Sequence, residues 1–269
     1  MAGRWADGWS LSKPQLSALL AGSSTAEPGK DPADVELWAA WREIVEMYSR
    51  MRLTNAADKL PALSGVARIF SERSRSRYLA GLWEPDLAYQ LAWRVYKYGV
   101  EKKKRPMPWR APSWSWAAVD APVTMIALEG PFLKRVAVRG CEAVASGVDP
   151  TGAVAGGALR VHGAVVEGTF AGEKDGEAFL EREGVTQKFF ADVLVEGGLE
   201  IRERVWCLEM GFSDMTFIDY DTARDLTAMV LRRSRAVEGA FERVGFVSTP
   251  DRKVWKWFEE VEYMELNIV

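Results

Sequence analysis

The feature that most constrains this chain is the stretch RAPSWSWAAVD at residues 110–120, where two tryptophans stand two residues apart beside a proline. If the segment is extended, its side chains alternate between faces. Trp114, Trp116 and Ala118 would then line one side, and Ser113, Ser115 and Ala117 the other. Fully burying one large apolar side chain contributes about 1.5–3 kcal/mol. The plain reading is therefore a core strand that anchors a sheet, and the sharper one is an aromatic platform for a ligand.

Composition excludes several classes. The chain has 269 residues, 48% of them hydrophobic and 27% charged, which suits a folded domain with a sizeable core. Its formal net charge of -3 offers no overall attraction for nucleic acid, and the basic run EKKKR at 101–105 reads as a solvated loop. No apolar run is long enough to span a bilayer, and the first residues lack the basic-then-apolar pattern of a secretory leader. With only two cysteines, Cys141 and Cys207, a reducing, cytoplasmic setting is expected rather than a disulfide framework.

Along the chain, residues 1–30 contain the small polar stretch SSTAEPGK and read as a flexible arm with a short helix near Pro14 to Leu20. Residues 31–105 read as an antiparallel helical cluster. Asp31 and Pro32 mark a helix start, and Trp38, Trp41, Val45 and Tyr48 recur on one stripe. A second helix is expected from near Pro61, with Leu63, Val66, Ala67 and Phe70 on its buried face. Gly65 within it suggests close helix packing. A third is expected from about Pro85, carrying Leu87, Leu91 and Val95.

From residue 106 to 269 the character changes to short alternating or β-branched runs, such as FLKRVAVRG, ALRVHGAVVEG, LTAMVLRR and YMELNIV. The fold class expected is α+β: helices packed on a mostly antiparallel β-sandwich or partly closed barrel. One helix is expected at residues 176–188 and a helical turn near 254–259. The GAVAGG run at 152–157 reads as a hairpin connection, since it lacks a dinucleotide fingerprint.

Conventional catalytic apparatus is sparse. His162 is the single histidine, set in an alternating strand-like run, which argues against a zinc site or a Ser-His-Asp triad. Both cysteines lie in strand-like sequence, the setting of inert thiols. Asp58 and Asp86 read as caps or ion-pair partners. No metal, nucleotide or other cofactor is expected. The remaining candidate is aromatic: Trp83, Trp93, Trp109, Trp114 and Trp116 cluster where the helical part meets the sheet, a place where ligand clefts form. They would bind an apolar small molecule or another protein, or would join the two halves.

The order of these motifs resembles the region that follows the heterokaryon-incompatibility (HET) domain in large filamentous-fungal proteins. The resemblance rests on WREIVEMYSRMRLTNAADKLPALSGVARIF at 41–70, YLAGLW at 78–83, LAW at 91–93 and PSWSWAAVD at 112–120. Towards the end RVWCLEM, FERVGFV and VWKWFEEVEYMELNIV are similar to the family's terminal strands. The resemblance covers about residues 38–269. In that family the preceding HET domain, related to TIR-like folds, is held responsible for cell death, and the region after it has no assigned chemistry. Here the stretch before Trp38 is short, so the toxic module is expected to be missing.

Three functions remain open on this reading. The first is a non-catalytic recognition domain for a ligand or partner. The second is a cofactor-independent isomerase, cyclase or pericyclase working in a tryptophan-lined cavity through proximity and electrostatics. The third is a regulatory decoy that pairs with full-length relatives through an exposed apolar patch.

Overall fold

The structure is a computed structural model that describes residues 32–95, 105–125, 133–192, 199–216 and 222–269. The N-terminal arm, the first four residues of the basic run, and the ends, 126–129 and 217–220, of the strand-like runs VTMIALE and MTFIDY that sequence also marks as strands lie outside these. The fold is α+β, with a mostly antiparallel sheet and a small helical part.

Helix α1, Pro32–Ser49, buries the apolar stripe read from sequence, with Leu37, Trp38, Trp41, Ile44 and Val45 all inside. Its C-terminal end is tied to a short strand, β4 (Val123–Met125). Glu46 accepts from the Thr124 hydroxyl at 2.8 Å and the Met125 amide at 2.7 Å, and Ser49 Oγ accepts from the Val123 amide at 3.0 Å. Helix α2, Ser64–Ser74, follows a single turn of 3₁₀ helix at Pro61–Leu63 and buries Ala67 and Phe70. Gly65 is exposed and a Cβ there would meet nothing within 4 Å, so close packing is not its reason.

The third expected helix shrinks to α3, Leu87–Gln90, because the chain then turns into strand β3, Trp93–Val95, which pairs with β4. Before it, β1 (Tyr78–Leu79) and β2 (Leu82–Trp83) form a minimal hairpin around Ala80 and Gly81. Both turn residues have positive φ, 50° and 98°, the pattern of a tight two-residue turn.

The main sheet is built around one long strand, β7 (Val154–Lys174, 21 residues). Its first half pairs with β6 (Ala137–Ala145) and β13 (Tyr263–Ile268). Its second half pairs with β8 (Glu177–Arg182) on one side and, on the other, with β10 (Arg204–Thr216), which also pairs with the two-residue strand β5 (Leu133–Lys134). From β8 the pairing continues through β9 (Val185–Ala191), β12 (Phe241–Thr249) and β11 (Thr222–Arg233) back to β10. The result is a ring of antiparallel strands, partly closed: among the described residues β9 and β12 pair at Ala191–Gly245 and Phe190–Phe246, with Asp192 N donating to Val244 O at 2.8 Å beside them.

Alternation along the ring sorts its side chains. Leu226, Ala228 and Val230 of β11 join Val205 and Cys207 of β10 in an inner cluster, while Met229 and Leu231 belong to an outer one. That outer cluster is continuous with Trp41, Phe70 and Trp83 of the helical part, so one core runs across both parts of the chain. Helix α4, Arg252–Trp255, and the 3₁₀ turn Lys256–Phe258 place Val254, Trp257 and Phe258 in the inner cluster, close to the helical turn read from sequence.

Two readings of the β-rich part are corrected. Residues 176–188 form no helix: Asp175–Gly176 and Glu183–Gly184 are positive-φ turns on either side of β8, and the strands β7, β8 and β9 run through them. The GAVAGG run is the hairpin connection only in its first two residues: the turn spans 146–153, with Ser146 N bonded to Ala153 O at 2.8 Å and Gly152 N to Asp149 O at 3.1 Å, while Val154 to Gly157 sit within β7.

Candidate functional site

The segment 110–120 is not an extended strand. It turns at Pro112, where Ser115 N donates to Pro112 O at 2.9 Å, and then winds into a 3₁₀ turn at Trp116–Ala118 capped by Ser115 Oγ. Residues 110–119 are buried throughout, so no face of the segment remains for solvent. Arg110 explains why an irregular loop survives there: its guanidinium donates to Ala117 O at 2.8 Å, Ala56 O at 2.8 Å, Val119 O at 3.2 Å and Asp120 Oδ1 at 2.7 Å. The carbonyls that a strand would have paired are satisfied by one side chain.

The structure separates the five tryptophans. Trp83, Trp93, Trp114 and Trp116 are each 0% exposed and belong to the outer core cluster. Trp116 Nε1 and Trp41 Nε1 both donate to Gly81 O, at 2.9 and 3.0 Å, and Trp93 Nε1 donates to Trp114 O at 2.9 Å. Trp83 packs its ring against Tyr78, Trp41 and Trp38, with centroids 5.1–5.6 Å apart. These four side chains join the helical part to the sheet and leave no surface for a ligand to touch.

Trp109 is different. It is 51% exposed and stands beside Met107, which is 89% exposed. Both line a groove of about 450 Å³. One wall is the 105–111 loop, with Arg105 and Pro106. The floor is formed by Gly156 and Gly157 of β7 with Ser113, and the far wall by Ala236 and Val237 of the β11–β12 connection with Glu242. Gly157 is required by close approach, since a Cβ would stand 2.7 Å from Pro112 Cγ and 2.8 Å from Glu142 O. Gly156 beside it faces open space.

The polar groups of the groove are engaged within the protein. Arg105 donates to Ala118 O at 3.2 Å and to Arg243 O, which corrects the reading of its run as solvated at this residue. Burial would raise the Glu242 carboxyl, but hydrogen bonds from Ser234 and Arg232 hold it below the ordinary carboxylate range. Ser113 Oγ donates to Val269 O and accepts from Arg243 N at 2.9 Å. What the groove offers a visitor is its apolar rim of Met107, Trp109 and Val237.

Candidate catalytic groups do not gather here. His162 is half-buried on β7 with its ring 5.7 Å from Tyr263, outside the groove lining. Cys141 and Cys207 are buried and unpaired, and desolvation pushes both thiols up to about 12. Asp86 pairs with Arg42 and accepts from Gln90 Nε2 at 3.0 Å. Burial raises its carboxyl against the pull of both partners. Among the described residues, no group of three or more His, Cys, Asp or Glu side chains is placed to hold a metal ion. No described helix is long and apolar enough to cross a membrane.

Sequence reading missed the groove because Met107 and Val237 carry no motif, and the residues that meet there come from loops far apart in the chain. The one available signal was Trp109, an aromatic outside the buried run that follows it. In comparison with known proteins, no family model, no curated protein and no solved structure matches the chain.

Proposed function

We propose that the chain is a non-catalytic recognition domain, of the type that follows the HET domain in fungal incompatibility proteins, acting in the cytoplasm. It takes an apolar small molecule or an apolar side chain of a partner into the Trp109 groove. The observation that carries this reading is an exposed apolar rim, Met107, Trp109 and Val237, above polar groups already bonded inside the protein. Such a site favours apolar burial over proton transfer, because a general acid or base needs a group within hydrogen-bond reach of the substrate. The same engagement of Arg105 and Arg110, with the net charge of -3, argues against nucleic acid as the partner.

The test is native mass spectrometry of protein purified from its own host, beside the Gly156→Leu and Trp109→Ala variants. Gly156 lines the groove, and a Cβ there would meet nothing within 4 Å, so the position has room for leucine at the groove's edge. A co-purifying apolar molecule or protein held by the wild type and lost from both folded variants is the expected result. A wild-type chain that turns over a metabolite, with Gly156→Leu abolishing the turnover, would sink the non-catalytic reading. Indifference of every bound species to both changes would sink the groove.

A further inference from the structure

A second concavity, of about 410 Å³, lies where the α4 turn meets β10, away from the groove of Trp109. Its walls are aromatic: Phe212, Trp255 and Phe258 line it, and Phe212 meets Trp255 edge-on with ring centroids 4.9 Å apart. Its polar lining is three carboxylates, Glu209, Glu259 and Glu260, against one guanidinium, Arg135. Glu259 and Glu260 are exposed at the rim.

Glu209 is unusual. It follows Val205 and Cys207 at strand spacing on β10, so it belongs to the row that faces the ring's inner cluster, just before the bulge between Glu209 and Gly211. The side chain is 1% exposed, and neither carboxylate oxygen accepts a hydrogen bond. Arg135 Nε stands 3.5 Å from Oε1, close enough to count as a charge partner but not aligned to donate. Tyr263 also acts on Arg135, helping to raise its guanidinium above the ordinary value. A buried carboxylate short of donors is costly, and it persists in folded proteins where something else satisfies it.

We propose that this pocket binds a small organic ammonium ion, which donates its N–H groups to Glu209 and lays its apolar stem against Phe212, Trp255 and Phe258. The carboxylate supplies charge and acceptors that Arg135 neighbours without hydrogen-bonding, and the rings are surfaces that take cations, Phe212 and Trp255 already facing the guanidiniums of Arg135 and Arg252 at 5.8 and 3.8 Å. The excess of carboxylates over guanidinium excludes anions. The size fits a single small ligand.

The experiment titrates phenethylammonium chloride, and separately the neutral 2-phenylethanol, into the full chain, following the tryptophan indole and Gly211 amide signals by NMR. Saturable shifts with phenethylammonium, at least about tenfold tighter than the alcohol, are expected from a hydrogen bond to a charged acceptor. Glu209→Gln should erase that preference, and Gly156→Leu, in the other groove, should leave it intact. Should Glu209→Gln not fold, Glu259→Lys places a cation at the exposed rim and should weaken the ammonium alone. Equal affinity for the two probes, no saturable shift, or a preference that survives Glu209→Gln or Glu259→Lys would overturn the proposal.

Discussion

Two buried cations hold the seam between the helical part and the sheet, and each makes a separable prediction. Arg243, fully buried, donates to Asp192 Oδ2 at 2.9 Å, Leu91 O at 2.7 Å and Trp93 O, with its guanidinium carbon 3.5 Å from the Trp93 ring centroid. Removing one partner of such a pair leaves an uncompensated charge. Asp192→Ala should therefore cost about 3–5 kcal/mol in urea unfolding, and a loss below about 1 kcal/mol would show that Arg243 finds other acceptors. Lys59 is the second: its ammonium is buried, donates to Val119 O and lies 5.5 Å from the Trp116 ring. Desolvation, helped by Arg110, lowers it to about 8 from an ordinary 10.5. The unfolded chain keeps that proton to the higher pH while the folded chain releases it at the lower, so folding becomes more favourable as pH rises through this window. Relative to Lys59→Met, wild type should gain up to roughly 3 kcal/mol between pH 8 and 10.5. A flat difference between the two proteins would show that Lys59 titrates normally.

At the scale of elements, glycines in strands distinguish packing from shape. Gly245 sits where β9 and β12 barely join, and a Cβ there would stand 2.6 Å from Phe189 Cδ2 and 2.7 Å from Phe190 O. Backbone cannot move aside as a side-chain tip can, so Gly245→Ala should destabilise by about 1–3 kcal/mol. Gly156→Ala, on the open floor of the groove, should stay within about 0.5 kcal/mol of wild type. Thermal melts of both variants check the contrast, and equal losses would mean that close approach does not distinguish these positions. The hairpin turns carry the clearest local code that sequence reading passed over: Asp175–Gly176 and Glu183–Gly184 supply the positive φ that tight turns demand. The helix expected over 176–188 gives way to strands because the pairing partners β7 and β9 are not visible in a linear sequence.

For the molecule as a whole, the outer core cluster joins Trp41 of α1 and Phe70 of α2 to Met229 of β11 and Phe246 of β12. Helical part and barrel should consequently unfold together. Phe246→Ala should lower stability by about 3–5 kcal/mol and shift far-ultraviolet and near-ultraviolet circular dichroism transitions by the same amount. Separate transitions would show that the two parts fold independently. The sequence by itself determined the fold class, the buried stripe of α1, the strand-rich second half and the helical turn near Val254, because each rests on local periodicity or turn chemistry that a short window contains. It also located the aromatic segment at the junction, where Trp114 and Trp116 are indeed packed. Only the tertiary structure decided that the segment is a loop gathered by Arg110 rather than a strand, and that Trp93 begins a strand rather than continuing a helix. Only it placed Trp109 on a groove with Gly156 and Val237, and Glu209 in a second pocket with Trp255. Those outcomes depend on which distant carbonyls, rings and charges come within a few ångströms of one another, and residue spacing along a chain carries no record of such meetings.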